Sequence, residues 1–100
     1  MRPIHVVTLD KARPAVILTR EEVLHFRQRL TVAAITTNAR GLSSEVSVGP
    51  ANGLADDSVI NCDDIYTVAA AQLGRRVGWL LDHQEPELAE AVIAAFTLEV

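Results

Sequence analysis

The sequence predicts a mainly β domain that ends in one α-helix, folded as a small barrel or curled sheet. Short apolar stretches rich in β-branched residues recur, with turn signals about every ten residues between them. Only near the C-terminus does the apolar period lengthen from that of a strand to that of a helix. Residues 4–9 read as the first strand, ended by Asp10-Lys11. Residues 14–19 make the second. Pro14 has no N–H to give to a ladder, which fits the first position of a strand or an edge. Residues 21–27 are expected to form a short helical turn with Val23 and Phe26 facing inward. Residues 30–38 form a strong third strand, whose alternation sets Val32, Ala34 and Thr36 on one face and Ala33, Ile35 and Thr37 on the other. Gly41 and Ser43-Ser44 make a turn, and residues 45–48 alternate as a half-buried strand. The main loop is 49–57, with Pro50, Asn52-Gly53 and two aspartates. Residues 58–62 and 73–81 complete the strands. Leu88, Val92, Ala95 and Phe96 then lie on one helical stripe, with Asp82 and Glu85 spaced as a capping box and Pro86 in the first turn. A curled sheet keeps open edges, which pairing with a second copy protects, so a homodimer is expected.

One hundred residues, 49% of them apolar, suit one domain over 1–100. Aromatic residues are scarce (Phe26, Tyr66, Trp79 and Phe96), so valine, leucine, isoleucine and alanine must fill the core. Cys62 is the only cysteine, which excludes an intrachain disulfide and a cysteine-rich metal site. Residues 1–10 lack the apolar run of a signal peptide, and no stretch approaches the ~20 residues of a membrane span, so the expectation is a cytoplasmic protein without a membrane partner. The net charge of −4 does not favour a nucleic-acid partner, but its distribution does. Residues 1–44 carry seven basic and three acidic side chains, whereas 45–100 carry two and ten. One half is therefore able to present a positive face.

The three histidines (His5, His25, His83) have no metal-ligand spacing, and no metal or cofactor is expected. No phosphate-binding glycine loop and no nucleophile elbow is present. Cys62, within an apolar strand, reads as an inert core thiol. What remains is polar chemistry at strand ends: Arg13 before Pro14, Thr36-Thr37 leading into Asn38 and Arg40, and Asp63-Asp64. A guanidinium clamps phosphate, a hydroxyl donates to a developing phosphorane oxygen, and a carboxylate takes a proton from a ribose hydroxyl. Such a trio is equipped to cleave RNA through its 2′-OH, but the same residue types are also ordinary strand-end surface, and spacing alone does not choose.

Five ordered blocks resemble the MazF/PemK/Kid toxin family. Arg13-Pro14-Ala15-Val16-Ile17-Leu18 is similar to its Arg-Pro strand, and Val32-Ala33-Ala34-Ile35-Thr36-Thr37 to its apolar strand ending in Ile-Thr. Glu45-Val46-Ser47-Val48 with Asn52-Gly53-Leu54 matches the next hairpin, and 58–65 a strand closed by an Asp-Gln pair. Leu73-Gly74-Arg75-Arg76-Val77-Gly78-Trp79-Leu80 is similar to the last strand before the helix. The resemblance implies an SH3-like small β-barrel of the toxin type. It implies a homodimeric, metal-independent endoribonuclease that cuts single-stranded RNA to a 2′,3′-cyclic phosphate and a 5′-hydroxyl. The implied partner is an antitoxin whose disordered acidic tail covers the groove. Arg13 and Thr36 match the family's active-site arginine and threonine, and Asp63 the aspartate of its Asp-Gln pair, so these three are the expected catalytic residues. Lys11, Thr37, Asn38, Arg40 and Asp64 are the expected RNA contacts.

The chain also departs from the pattern. Pro3-Ile4-His5-Val6 replaces the usual Gly-acid-Ile-Trp opening, and the long loop before Arg-Pro shrinks to Asp10-Lys11-Ala12. Asn61 stands where some members have arginine, Asp64 replaces the glutamine, and Tyr66 replaces a basic residue. Two rival functions share the barrel. Gyrase-poisoning toxins act through a C-terminal Trp-Gly-Ile, where this sequence reads Phe96-Thr97-Leu98-Glu99-Val100. Noncatalytic SH3-like modules display clustered aromatics, and here the four are scattered.

Overall fold

The computed structural model describes residues 1–100. Six strands, β1 (Arg2–Thr8), β2 (Ala12–Ile17), β3 (Arg29–Thr36), β4 (Glu45–Val48), β5 (Ser58–Ala69) and β6 (Leu73–Leu80), precede a single helix, α1 (Glu85–Phe96). They form one antiparallel sheet in the order β4-β5-β3-β2-β1-β6. The expected mainly β fold with a C-terminal helix is the one observed.

β3 is interior to the sheet, and Leu30, Val32, Ala33, Ala34 and Ile35 are all buried, so both of its faces are covered. The pairs Ala15↔Ala34 and Ile17↔Val32 share one face, and Val16↔Ala33 lies on the other. On that other face Ile4, Val16, Ala33, Ile35, Ile60 and Cys62 pack with Leu88 and Ala91 of α1. On the first face a smaller cluster of Val7, Ala15, Ile17, Val32 and Val68 is roofed by Leu9, Leu24 and Leu73.

The sheet curls because β5 bends. Ala33 pairs with Ile65 and Ile35 with Ile60, so two steps of β3 match five of β5. A local excess of residues on one strand kinks it and increases its twist. The bend keeps β5 on β3 while its first half also pairs with β4, from Glu45↔Asn61 to Val48↔Ser58. No ladder joins β4 to β6. A loop closes that seam. Gly53 has a φ of 87°, and a Cβ there would lie 2.1 Å from the Val77 carbonyl oxygen. A Cβ on Gly78 would lie 1.8 Å from the Asn52 carbonyl oxygen, so both positions require glycine. Buried Asn52 fastens the same seam. Its side-chain NH2 donates to Gln84 Oε1 at 2.7 Å and to the Trp79 carbonyl at 2.9 Å, and its Oδ1 accepts the Gly49 N–H at 3.1 Å.

Several local expectations change in the folded chain. β5 continues to Ala69, well past the expected end at Cys62, because the bend carries it through Asp63-Asp64. The turn after β2 is 3₁₀ over Glu21–Val23, and Phe26 is 82% exposed while Leu24 packs inward. The helix buries Leu88 and Ala91, and Phe96 is 57% exposed at its end. Asp82 makes no capping box. Its carboxylate holds the Met1 amino group at 2.9 Å, and Gln84 Oε1 instead accepts the Leu81 N–H at 2.9 Å. Arg2 ties three elements together, donating to the Leu18 carbonyl at 2.8 Å and to Glu85 at the start of α1 at 3.0 Å.

Asn52→Ala strands the buried Gly49 N–H and removes two further hydrogen bonds at the seam. The expected loss is about 2–4 kcal/mol, read as a lower urea midpoint with an unchanged m-value. A midpoint within about 0.5 kcal/mol of wild type would show that the seam does not depend on Asn52.

Candidate functional site

β2 begins where antiparallel β3 ends. Two residues beyond the Ala15↔Ala34 pair, the same register sets Arg13 opposite Thr36 on the same face. Both line an open cleft of about 380 Å³ with Lys11, Pro14, Ile35, Thr37 and Ser58. A second cleft of about 420 Å³ shares Thr37 and Ser58 and continues past Ala39 and Asp57. Four of the residues singled out from sequence, Lys11, Arg13, Thr36 and Thr37, therefore meet in one place.

The Arg13 side chain is 27% exposed, and its Nη2 donates to Asp10 Oδ2 at 2.8 Å. Its Nε is buried with no acceptor, so the guanidinium is held from one side and incompletely satisfied. Asp10 also accepts the Lys11 backbone N–H at 3.0 Å. The Arg13 hydrogen bond, aided by that N–H, keeps the Asp10 carboxyl below the usual carboxylate range against some desolvation. Thr36 Oγ1 accepts the Asn38 N–H at 3.1 Å. With a lone pair so engaged, the hydroxyl proton stays available to donate.

Arg40 is exposed beyond the cleft, and its backbone is fixed by Glu45. That carboxylate accepts the Arg40 N–H at 3.1 Å and the Leu42 N–H at 3.1 Å. Desolvation works to raise the Glu45 pKa, but the N–H groups of Arg40, Leu42 and Gly41 outweigh it and hold the carboxyl low. The two aspartates at the β5 bend diverge. Asp63 accepts a hydrogen bond from the Ser44 hydroxyl, donates its own N–H to Asn61 Oδ1 at 2.9 Å, and does not line the cleft. Asp64 lies beside the Tyr66 phenol and pushes its pKa up, a hydrogen-bond effect that Arg13 partly opposes. Burial, with the Asp63 charge, pushes the Cys62 thiol up to about 11, in keeping with an inert core residue. No group of three or more His, Cys, Asp or Glu side chains converges as a metal site.

Asp10, Ser58 and Ser44 were not singled out from sequence. Asp10 carries a readable signal, three residues before Arg13 at a strand end. The two serines carry none, because only the curl of the sheet brings Ser58 to the cleft and Ser44 to Asp63.

Replacing Arg13 removes the main cause of the low Asp10 pKa. In Arg13→Ala the Asp10 carboxyl should titrate at higher pH than in wild type, followed by its carboxyl carbon shift in NMR. In wild type the pair's small stabilisation is present above the unfolded pKa of Asp10 and is lost as pH falls through the folded one. An unmoved titration would mean that Asp10 and Arg13 are not paired in solution.

Residues 7–96 match the model of a family described as PemK-like, MazF-like toxin of type II toxin-antitoxin system. Endoribonuclease MazF3 of Mycobacterium tuberculosis (strain ATCC 25618 / H37Rv) is 54% identical over 99 residues, which cover 99% of this chain and 96% of that protein. The solved structure of the Mycobacterium tuberculosis toxin MazF-mt6 superposes with a TM-score of 0.97 and 52% identity, over 99% of this chain and 100% of that one. A mycobacterial endoribonuclease solved in complex with its cognate antitoxin shares the fold, with a TM-score of 0.88 and 21% identity over 98% and 94% of the two chains. With its fold, its strand-end arginine and threonine and these matches in agreement, the chain belongs to the PemK-like, MazF-like toxins of type II toxin-antitoxin systems.

Proposed function

We propose that this toxin endoribonuclease cleaves single-stranded RNA in the Arg13–Thr36 cleft, without a metal ion. The observation that carries the reading is the juxtaposition of a permanent cation and a free hydroxyl donor across two antiparallel strands. The ribose 2′-oxygen, giving up its proton to water, attacks the adjacent phosphorus, and the bond to the 5′-oxygen breaks. That oxygen takes a proton from water, leaving a 2′,3′-cyclic phosphate and a 5′-hydroxyl. Arg13, a permanent guanidinium cation, stabilises the added negative charge and does not shuttle the proton. Asp10 holds the guanidinium in place, and the Thr36 hydroxyl donates to a second phosphorane oxygen. Lys11, Thr37, Asn38 and Arg40 receive the flanking phosphates and sugars, with Asp64 beside them. Asp63, held by the Ser44 hydroxyl at the β5 bend, serves by supporting the strand that carries Ser58 into the cleft.

The same positive cleft suits an acidic antitoxin segment, whose carboxylates would compete with phosphate for Arg13 and Lys11. The open sheet edges and the exposed Phe96 and Leu98 suit a homodimer. No helix is long and apolar enough to cross a membrane, and the cytoplasm is the compartment in which such a toxin meets its RNA.

Arg13→Ala should slow cleavage about 10²- to 10³-fold, the usual loss of one preorganised charge stabiliser. Thr36→Ala should slow it less, with both variants folded. Wild-type cleavage should survive EDTA and yield cyclic-phosphate ends. Loss of activity in EDTA, or near wild-type turnover in Arg13→Ala, would contradict the proposed chemistry.

A further inference from the structure

Tyr66 lies on the same sheet face as the catalytic pair. It pairs with Val32, which pairs across β3 and β2 with Ile17, and this is the face that carries Ala34, Ala15, Arg13 and Thr36. Its neighbours there, Val32 and Val68, are buried at 0% and 4%, yet Tyr66 is 36% exposed. A partly exposed aromatic side chain thus stands on the face that carries the small apolar cluster. Asp64, two residues earlier on the strand, falls on the same face as Tyr66, whereas Asp63 falls on the other and is held by Ser44. The face that carries Tyr66 and Asp64 runs on through Val32 and Ala34 to Thr36, with Ala15 and Arg13 alongside.

We infer that Tyr66 and Asp64 form a base-reading platform beside the cleft, on which one nucleobase of the RNA stacks while Asp64 accepts a hydrogen bond from that base's exocyclic amino group. The inference rests on the RNA-cleaving reading above and adds the identity of a specificity site. Every base has a π-face, so the ring supplies affinity without choosing among them. The carboxylate supplies the choice. It accepts from the N4 amino group of cytosine, but meets the O4 carbonyl oxygen at the corresponding position of uracil. A carboxylate has two oxygens, so Asp64 keeps acceptor capacity for the base even where it meets the Tyr66 hydroxyl. A phosphate-binding cation at position 66 would hold any sequence equally, whereas an aromatic beside a carboxylate repels phosphate and favours a base.

The test uses 2′-deoxy octamers of cytidine and of uridine, which lack the attacking hydroxyl, with binding followed by fluorescence anisotropy. Wild type should bind the cytidine octamer about tenfold more tightly than the uridine octamer. Tyr66→Phe should bind both as wild type does. Tyr66→Leu and Tyr66→Ala should each weaken both by about tenfold, because leucine covers Val32 but offers no π-face. Asp64→Ala should abolish the preference for cytidine. Leucine performing as well as phenylalanine would show that Tyr66 only roofs the apolar cluster and would overturn the platform. Equal wild-type affinity for the two octamers, or no binding of either, would overturn it too. RNA cleavage by wild type, measured in parallel, separates the outcomes. Cleavage with a failed platform test leaves the ribonuclease reading standing, and no cleavage of any RNA removes both.

Discussion

The pairing of β2 with β3 is the constraint on which the rest of the molecule depends. Because side chains alternate strictly along a strand, the single register Ala15↔Ala34 decides two things together. It turns Val16, Ala33 and Ile35 toward the core that α1 covers, and it turns Arg13 and Thr36 toward the cleft. A slip of one residue would turn the guanidinium from the cleft to the opposite face and exchange Val16 and Ile17 between two clusters that are each packed for the other residue. Burial of both faces of β3 makes such a slip costly, at roughly 1.5–3 kcal/mol for each large apolar side chain displaced. The site is held in register by the core.

Curling the sheet is what makes a cleft of that face. Extra residues in β5 opposite Ala33–Ile35 bend the strand and bring Ser58 beside Thr36 and Thr37. The bend would leave a gap between β4 and β6, and the loop around Asn52-Gly53 fills it by backbone approach to Val77-Gly78. A buried asparagine and a buried glutamine then satisfy donors and acceptors that no strand reaches. Hydrogen bonds of this kind contribute modestly when made and cost more when left half-made, so the seam is specific as well as stable.

Much of this was legible in the sequence, and the limits have physical causes. β3 was readable in both its existence and its two faces, since it has period-two apolar residues without a break. The Asn52-Gly53 loop and the terminal helix announced themselves through turn chemistry and a change of period. The length of β5 did not, because Asp63-Asp64 look like a strand end and only the bend lets a strand run through two charges. Phe26 was misplaced because hydrophobicity favoured burying it, whereas the loop geometry seats Leu24 on the apolar cluster instead. Arg13 and Thr36 were found through strand-end chemistry and a resemblance together. The diverging roles of Asp63 and Asp64 are not legible in the sequence, because alternation applies to them only once β5 runs on past Cys62.

The central claim is that Arg13 and Thr36 act on the same phosphate as a unit. A double-mutant cycle on single-turnover RNA cleavage tests it most directly, using Arg13→Ala, Thr36→Ala and the double variant. Groups that stabilise one transition-state phosphorane together are not independent, so the double variant should lose clearly less than the product of the single losses. Losses that multiply fully would contradict the account, since two residues that never cooperate at one phosphate would give that result.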